Sequence, residues 1–138
     1  MGTLIDSSLW IDYFRSTTPA AIKRQVIPFV DSPDGLLCEP VRFEILRAAR
    51  RNERNRIEET FATVPLLVTP ADLWRQAIQL GQQCVDARIQ PRSLDLLIAI
   101  VCLHHKVEIV TFDSDFAELA RACPLKVCLL SRGGNPSH

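Results

Sequence analysis

Five carboxylates in this chain of 138 residues stand at the ends of short apolar runs or early in the helical stretches that follow them: Asp6, Glu44, Asp95, Asp113 and Asp115. Each alone has an ordinary use. Asp6, Asp113 and Asp115 suit the caps of the helices after them, Asp95 suits the positive end of a helix dipole, and Glu44 suits a solvated helix face. For any one of them taken singly, the ordinary use is the better reading. The set says more. Asp95 is the only acid in SLDLLIAIVCLHH, a stretch otherwise apolar all round and therefore bound for burial. A carboxylate on a buried element costs several kcal/mol unless it is paired or holds a metal. Carboxylates that converge also repel and raise one another's pKa, so a divalent cation is their natural neutraliser. Mg²⁺ and Mn²⁺ prefer oxygen ligands. A pair of such ions about 4 Å apart can activate a water and stabilise a leaving oxygen. No nucleophilic Ser, Cys or His is needed. His104 and His105 close a helix, where they suit its C-terminal dipole, and His138 lies in the tail.

The elements that must position these acids alternate short apolar runs with longer helical ones. Strands are expected at Thr3–Ile5, Leu36–Cys38, Leu66–Val68, Val107–Phe112 and Lys126–Leu130. Helices are expected from Ser7 or Ser8 to Phe14, from Thr18-Pro19 until Pro28 ends or kinks it, and from Pro40 to about Arg51. Further helices are expected over Asn55–Thr63, from Thr69-Pro70 to Asp86, from a Ser93 cap over Leu94–His105, and over Asp115–Ala122. Strands separated by helices imply right-handed crossovers and a parallel sheet covered on both faces, an α/β fold of about five strands. In open sheets of this kind ligands bind beyond the carboxyl ends of the strands, which is where the acids fall.

Length allows one domain, placed at 1–130 with a short tail over 131–138. Sixteen Lys+Arg balance sixteen Asp+Glu, so a polyanion must be met by a local basic patch and not by an attracting field of the whole protein. Five scattered cysteines with no CxxC pair read as reduced thiols of a cytoplasmic protein. No apolar run approaches the length of a membrane span, and MGTLIDSS lacks the pattern of a secretory signal.

Four stretches, LIDSSLWIDYF, PVRFEILRAAR, PRSLDLLIAIVCLHH and VTFDSDF, resemble in order the four motifs of the PIN-domain superfamily, and more narrowly its VapC-type toxins. The resemblance runs over essentially the whole chain. Any single motif is weak, but four in register are specific. The resemblance implies that Asp6, Glu44, Asp95 and Asp113 are the catalytic, metal-holding acids, with Asp115 a possible supplement and Ser7 and Thr111 the small hydroxyls near the metal. It further implies Mg²⁺- or Mn²⁺-dependent hydrolysis of RNA, a dimer, and a cognate antitoxin protein that silences the site by laying a helix in an apolar groove. The best location for that groove from sequence is Leu9, Trp10, Tyr13 and Phe14. IAI stands where many relatives have IAA, a matter of packing.

The densest basic run, Arg47, Arg50, Arg51, Arg54 and Arg56, begins one helical turn beyond Glu44 and suits an RNA backbone. A solvated face balanced by Glu53, Glu58 and Glu59 accounts for it equally well. Arg88 and Arg92 flank the loop before Asp95, at the mouth of the site, and Arg92 suits RNA there. Trp10, Phe14, Phe43 and Trp74 read as core or interface residues. Other strand-end chemistries fit less well. A haloacid dehalogenase-like phosphohydrolase needs Asp-x-Asp after the first strand, where Asp6 is followed by Ser7-Ser8. A receiver domain needs an acidic pair there and a late lysine, and a dinucleotide binder needs GxGxxG. The alternatives within the resemblance are a housekeeping nuclease and a catalytically silent protein-binding module. Retention of all four acids argues against silence.

Overall fold

The sheet starts at the first residues of the chain. In the computed structural model, which describes residues 2–133, Thr3–Ile5 forms β1 and Asp6 caps α1, Ser7–Phe14. α2 (Ala20–Val30) leads through a turn to β2 (Gly35–Leu36), then α3 (Glu39–Ala48), α4 (Arg54–Phe61), α5 (Leu73–Asp86) and α6 (Ser93–His105). β3 (Glu108–Thr111), α7 (Asp115–Leu119) and β4 (Val127–Leu129) complete the order. The four strands pair in the order β2-β1-β3-β4, all parallel. β1 is therefore flanked by the strand that follows it and by one that comes a hundred residues later. The chain passes from β1 to β2 on one side of it and later crosses to β3 on the other, so the β1–β3 carboxyl ends are the switch point of the strand order, where ligand crevices form in sheets of this kind.

Both faces are covered. Successive strand side chains point to opposite faces, yet Leu4 and Ile5 on β1 and Ile109, Val110 and Thr111 on β3 are all buried. Central strands of a parallel sheet read as continuous apolar runs for this reason. α6 keeps its expected character, with Ile98 through Cys102 buried in succession. Trp10 stacks on Phe14 and meets Phe61 edge-on, tying α1 to α4.

Two helices close through a left-handed residue that is not glycine. After α5 the backbone N–H of Ile89 donates to the Cys84 carbonyl and that of Arg88 to Val85. After α6, Val107 donates to Cys102 and Lys106 to Leu103. These are Schellman closures, with Arg88 and Lys106 in the left-handed conformation. Buried Ile89 then pins the loop that leads to α6.

Several expected boundaries shift. Leu66–Val68 contributes one parallel bridge, Leu66 to Leu37, and no strand. Pro65 and Pro70 bracket it, and Leu66 and Val68 are exposed, so it lacks burial to reward pairing. Pro28 does not end α2. It lies in the exposed last turn, where its missing N–H removes a single bond. Ser93 is the first helical residue of α6 and Arg92 occupies the cap. At the C-terminal stretch, Gln25 donates to the Ser131 carbonyl, and Arg132 pairs with buried Asp12 at 2.6 Å while lying over the Phe112 ring. Residues 134–138, His138 included, lie outside the described residues. No described helix is long and apolar enough to cross a membrane.

Candidate active site

The β1–β3 pairing builds the centre of the site. Register places Ile5 beside Val110, and the Asp6 N–H donates to the Val110 carbonyl. Asp6 and Thr111 thus emerge side by side at the strand ends. The Thr111 hydroxyl donates to Asp6 Oδ2 at 2.7 Å, and the Ser8 hydroxyl donates to the same oxygen at 2.9 Å. Asp6 is buried, and burial lifts its pKa while the hydroxyls of Thr111 and Ser8 oppose the shift. The Asp113 N–H donates to Thr111 Oγ1 and the Phe112 N–H to Ser8 Oγ. One hydroxyl network therefore ties β1, the start of α1 and the turn after β3. Asp6 caps α1 as well, its side chain accepting from the Ser8 N–H.

Asp95 comes from the first turn of α6, its side chain 8% exposed. Burial pushes its pKa up to about 6; the charges of Asp113 and Asp6 add to that, and Arg92 opposes it. Asp113 follows β3, and its Oδ1 accepts from the Asp115 N–H. One carboxylate oxygen from each of Asp95, Asp113 and Asp115 lies within 4.8 Å of the other two. Asp6 joins this group through the Thr111 network. Glu44 stands outside the trio. From α3 it accepts from the Ser7 hydroxyl at 2.5 Å, so Ser7 ties Glu44 to α1.

Arg92 reaches the acids directly. Its Nε lies 3.3 Å from Asp95 Oδ2 and its Nη2 lies 2.5 Å from Asp113 Oδ2. Arg88, expected at the mouth, serves as the left-handed terminator of α5.

The basic run divides. A groove of about 630 Å³ opens between the end of α1 and the α3–α4 pair, with Glu44, Arg15, Arg50 and Arg56 among its lining residues beside Ile11 and Phe14. Arg56 also donates to the Phe14 carbonyl and lies over its ring. Arg47, Arg51 and Arg54 do not line it. Arg47 sits over Phe43, and Arg54 donates to the Ala49 carbonyl. Of the residues expected to line an apolar groove, Leu9 and Trp10 are packed into the core, while Phe14, also largely buried, reaches the groove just described. Phe43 and Trp74 are exposed, unlike Trp10 and Phe14. His105 meets the Val68 carbonyl at the far end of α6.

Two participants escape a reading of the sequence. Ser8 reads there as a cap alone, and the Asp-Ser-Ser spacing, which lets the second hydroxyl fold back on the carboxylate, is its signal. Arg15 carries none, since only the packing of α1 on α3 brings it to the groove. Cys38, at the start of α3, is no nucleophile: burial pushes its thiol up to about 12.

Comparison with known proteins places this geometry among relatives. The family model for the PIN domain matches residues 3–122. The VapC ribonuclease Mb1587 of Mycobacterium bovis is 33% identical over 127 residues, covering 89% of this chain and 95% of that protein. Ribonuclease VapC11 of Mycobacterium tuberculosis matches to the same extent. Among solved structures, the DNA-bound VapBC of Salmonella typhimurium superposes with a TM-score of 0.72 at 13% identity, over 93% of this chain and 97% of that one.

Proposed function

The chain belongs to the PIN-domain family, and on that footing we propose that it is a metal-dependent endoribonuclease acting as the toxin of a toxin–antitoxin pair. The observation that carries the reading is the buried Asp95 carboxylate gathered with Asp113 and Asp115 at the crevice, beside Asp6. Two buried carboxylates, Asp6 and Asp95, with further acids crowding beside them would be poor design for stability alone. The kinship with two VapC ribonucleases supports RNA as substrate, and the fold shared with VapBC complexes supports an antitoxin partner.

The donor set suits the implied ion. It is all oxygen, partly buried and strongly anionic, which fits Mg²⁺ or Mn²⁺. Asp6, Asp95 and Asp113 would hold it, with Asp115 and Glu44 at the rim. Such an ion supplies an activated water and charge neutralisation at the phosphate. The chain's own residues do the rest. Thr111 and Ser8 fix the orientation of Asp6, Ser7 fixes Glu44, and the closely packed α6 holds Asp95 where water is scarce. Arg15 and Arg50 in the groove beside Glu44 would meet the phosphates of the strand being cut.

The free, largely buried thiols suit a reducing cytoplasm. A second copy of the chain suits α5, where Trp74, Ile78 and Val85 form an exposed stripe (69%, 62% and 74% exposed) flanked by Gln79 and Gln82. The stripe runs end to end, so two antiparallel copies would set Trp74 against Val85, the self-complementary arrangement a twofold requires.

The deciding experiment is cleavage of RNA by chelator-stripped protein. Mg²⁺ or Mn²⁺ should restore it and Ca²⁺ should do so poorly, because its looser coordination positions water badly. Full activity in chelator would sink the metal reading. Co-expression with the protein encoded beside it should abolish the activity, and undiminished cleavage would count against the antitoxin.

A further inference from the structure

We propose that Arg92 is a tethered cation that occupies the acidic cluster in the metal-free protein and must swing out before a divalent ion can enter. The inference rests on the metal-site reading above. Arg92 spreads its guanidinium over two elements, with Nε toward Asp95 of α6 and Nη2 toward Asp113 after β3. Among the described residues it is the only cation within ion-pairing distance of Asp6, Glu44, Asp95, Asp113 or Asp115. It meets Oδ2 of both Asp95 and Asp113. The carboxylate cluster it bridges is narrow, with one oxygen from each of Asp95, Asp113 and Asp115 within 4.8 Å of the other two. A Mg²⁺ ion at about 2.1 Å from its ligands and a guanidinium cannot both lie between the same pair of carboxylates.

The backbone of Arg92 is fixed while its side chain is free to leave. The Schellman closure at Arg88, the buried Ile89 and Pro91 set the loop. Arg92 then caps α6, its carbonyl accepting from the Leu96 N–H. Yet its side chain is 66% exposed, and an ion pair so open to water is held weakly. The tether thus gives a high local concentration of positive charge at the cluster without sealing it. Without metal, Arg92 offsets the repulsion between Asp95 and Asp113. With metal, the guanidinium is displaced to the mouth of the crevice, where its planar fork suits a phosphate. Metal entry and the presentation of a phosphate-binding arginine then become a single event.

Calorimetric titration with Mn²⁺ of the chelator-stripped full chain tests this, with Arg92→Gln and Arg92→Lys beside the parent and melting curves recorded before and after metal. Arg92→Gln should bind Mn²⁺ roughly three- to tenfold more tightly, because the competing ion pair is gone, and should melt lower than the parent in chelator. Arg92→Lys should fall between the two. Equal or weaker Mn²⁺ binding by Arg92→Gln would overturn the competition and leave the metal site standing. No Mn²⁺ binding by either protein would bring down both.

Discussion

Replacing Asp95 by Asn separates a carboxylate kept for chemistry from one kept for structure. Asn preserves the shape and removes the charge. Asp95 is buried and holds its proton up to about pH 6 in the folded chain, whereas in an unfolded chain it releases it near 3.9. The folded state therefore binds more protons between those values, and stability falls as pH rises through that window. Below about pH 4 both states are protonated and the charge costs nothing. Above about pH 6 the ionised residue weakens the fold by roughly 3 kcal/mol. The variant escapes this cost, in which the favourable pull of Arg92 on the ionised carboxylate is already included. A gain of up to about 3 kcal/mol at pH 7.5 should raise the melting temperature by about 9 °C for a domain of this size. Cleavage should fall by about 100-fold or more, since the water would no longer be held in place. Melting curves from pH 4 to 8 in chelator, with a cleavage assay on the same preparation, test both parts. The parent should lose stability across the window and the variant should lose less, the remainder coming from Asp6, whose pKa burial also raises. A variant that melts lower at pH 7.5, or keeps the parent's pH dependence, would refute the reasoning that Asp95 is a burden the fold carries for function.

Two further outcomes follow from surfaces away from that carboxylate. Arg15→Ala combined with Arg50→Ala, both in the groove beside Glu44, should weaken RNA binding across sequences and reduce the salt dependence by about one unit for each phosphate no longer met by an arginine; unchanged affinity at low and moderate salt would return the groove to a solvated role. Trp74→Glu on the exposed stripe of α5 should convert a dimer to a folded monomer in sedimentation, and a parent chain that is itself monomeric at high concentration would end that proposal.

The order of strands and helices is legible because two periodicities are written plainly into the chain. Apolar pairs such as Leu4-Ile5 and Ile109-Val110 suit only buried strands, and the apolar SLDLLIAIVCLHH suits only a buried helix with one misfit acid. Asp6, Asp95, Asp113 and Asp115 stand out by that misfit and by their place after strands. The geometry linking them is less legible. That Asp6 and Thr111 share a hydrogen bond depends on β1 pairing with β3, which no local pattern states. Arg92 reads as a surface arginine for RNA, because nothing in its neighbours reveals that the cap of α6 faces the turn after β3. The partition of the arginine run is hidden for a similar reason. Spacing tells which residues share a helix face, and only tertiary packing tells what that face meets. Leu66–Val68 misleads in the other direction, since a short apolar run looks the same whether or not a sheet edge is there to receive it.

The hydrogen bond from Thr111 to Asp6 spans 105 positions of sequence, and this separation bears on how the protein is made. While the chain is being synthesised, β1, α1 and β2 can associate early, but β1 keeps one side open until β3 arrives. Asp113 and Asp115 arrive with β3, and Asp95 needs the same turn to be brought to Asp6. No partial chain that lacks the last quarter of the sequence can assemble the carboxylate site. Closing so long a loop is also slow compared with forming the helices. If the site is the cutting centre proposed above, that centre is incomplete while the chain emerges from the ribosome. The delay would give the proposed antitoxin time to be present before the centre is first complete.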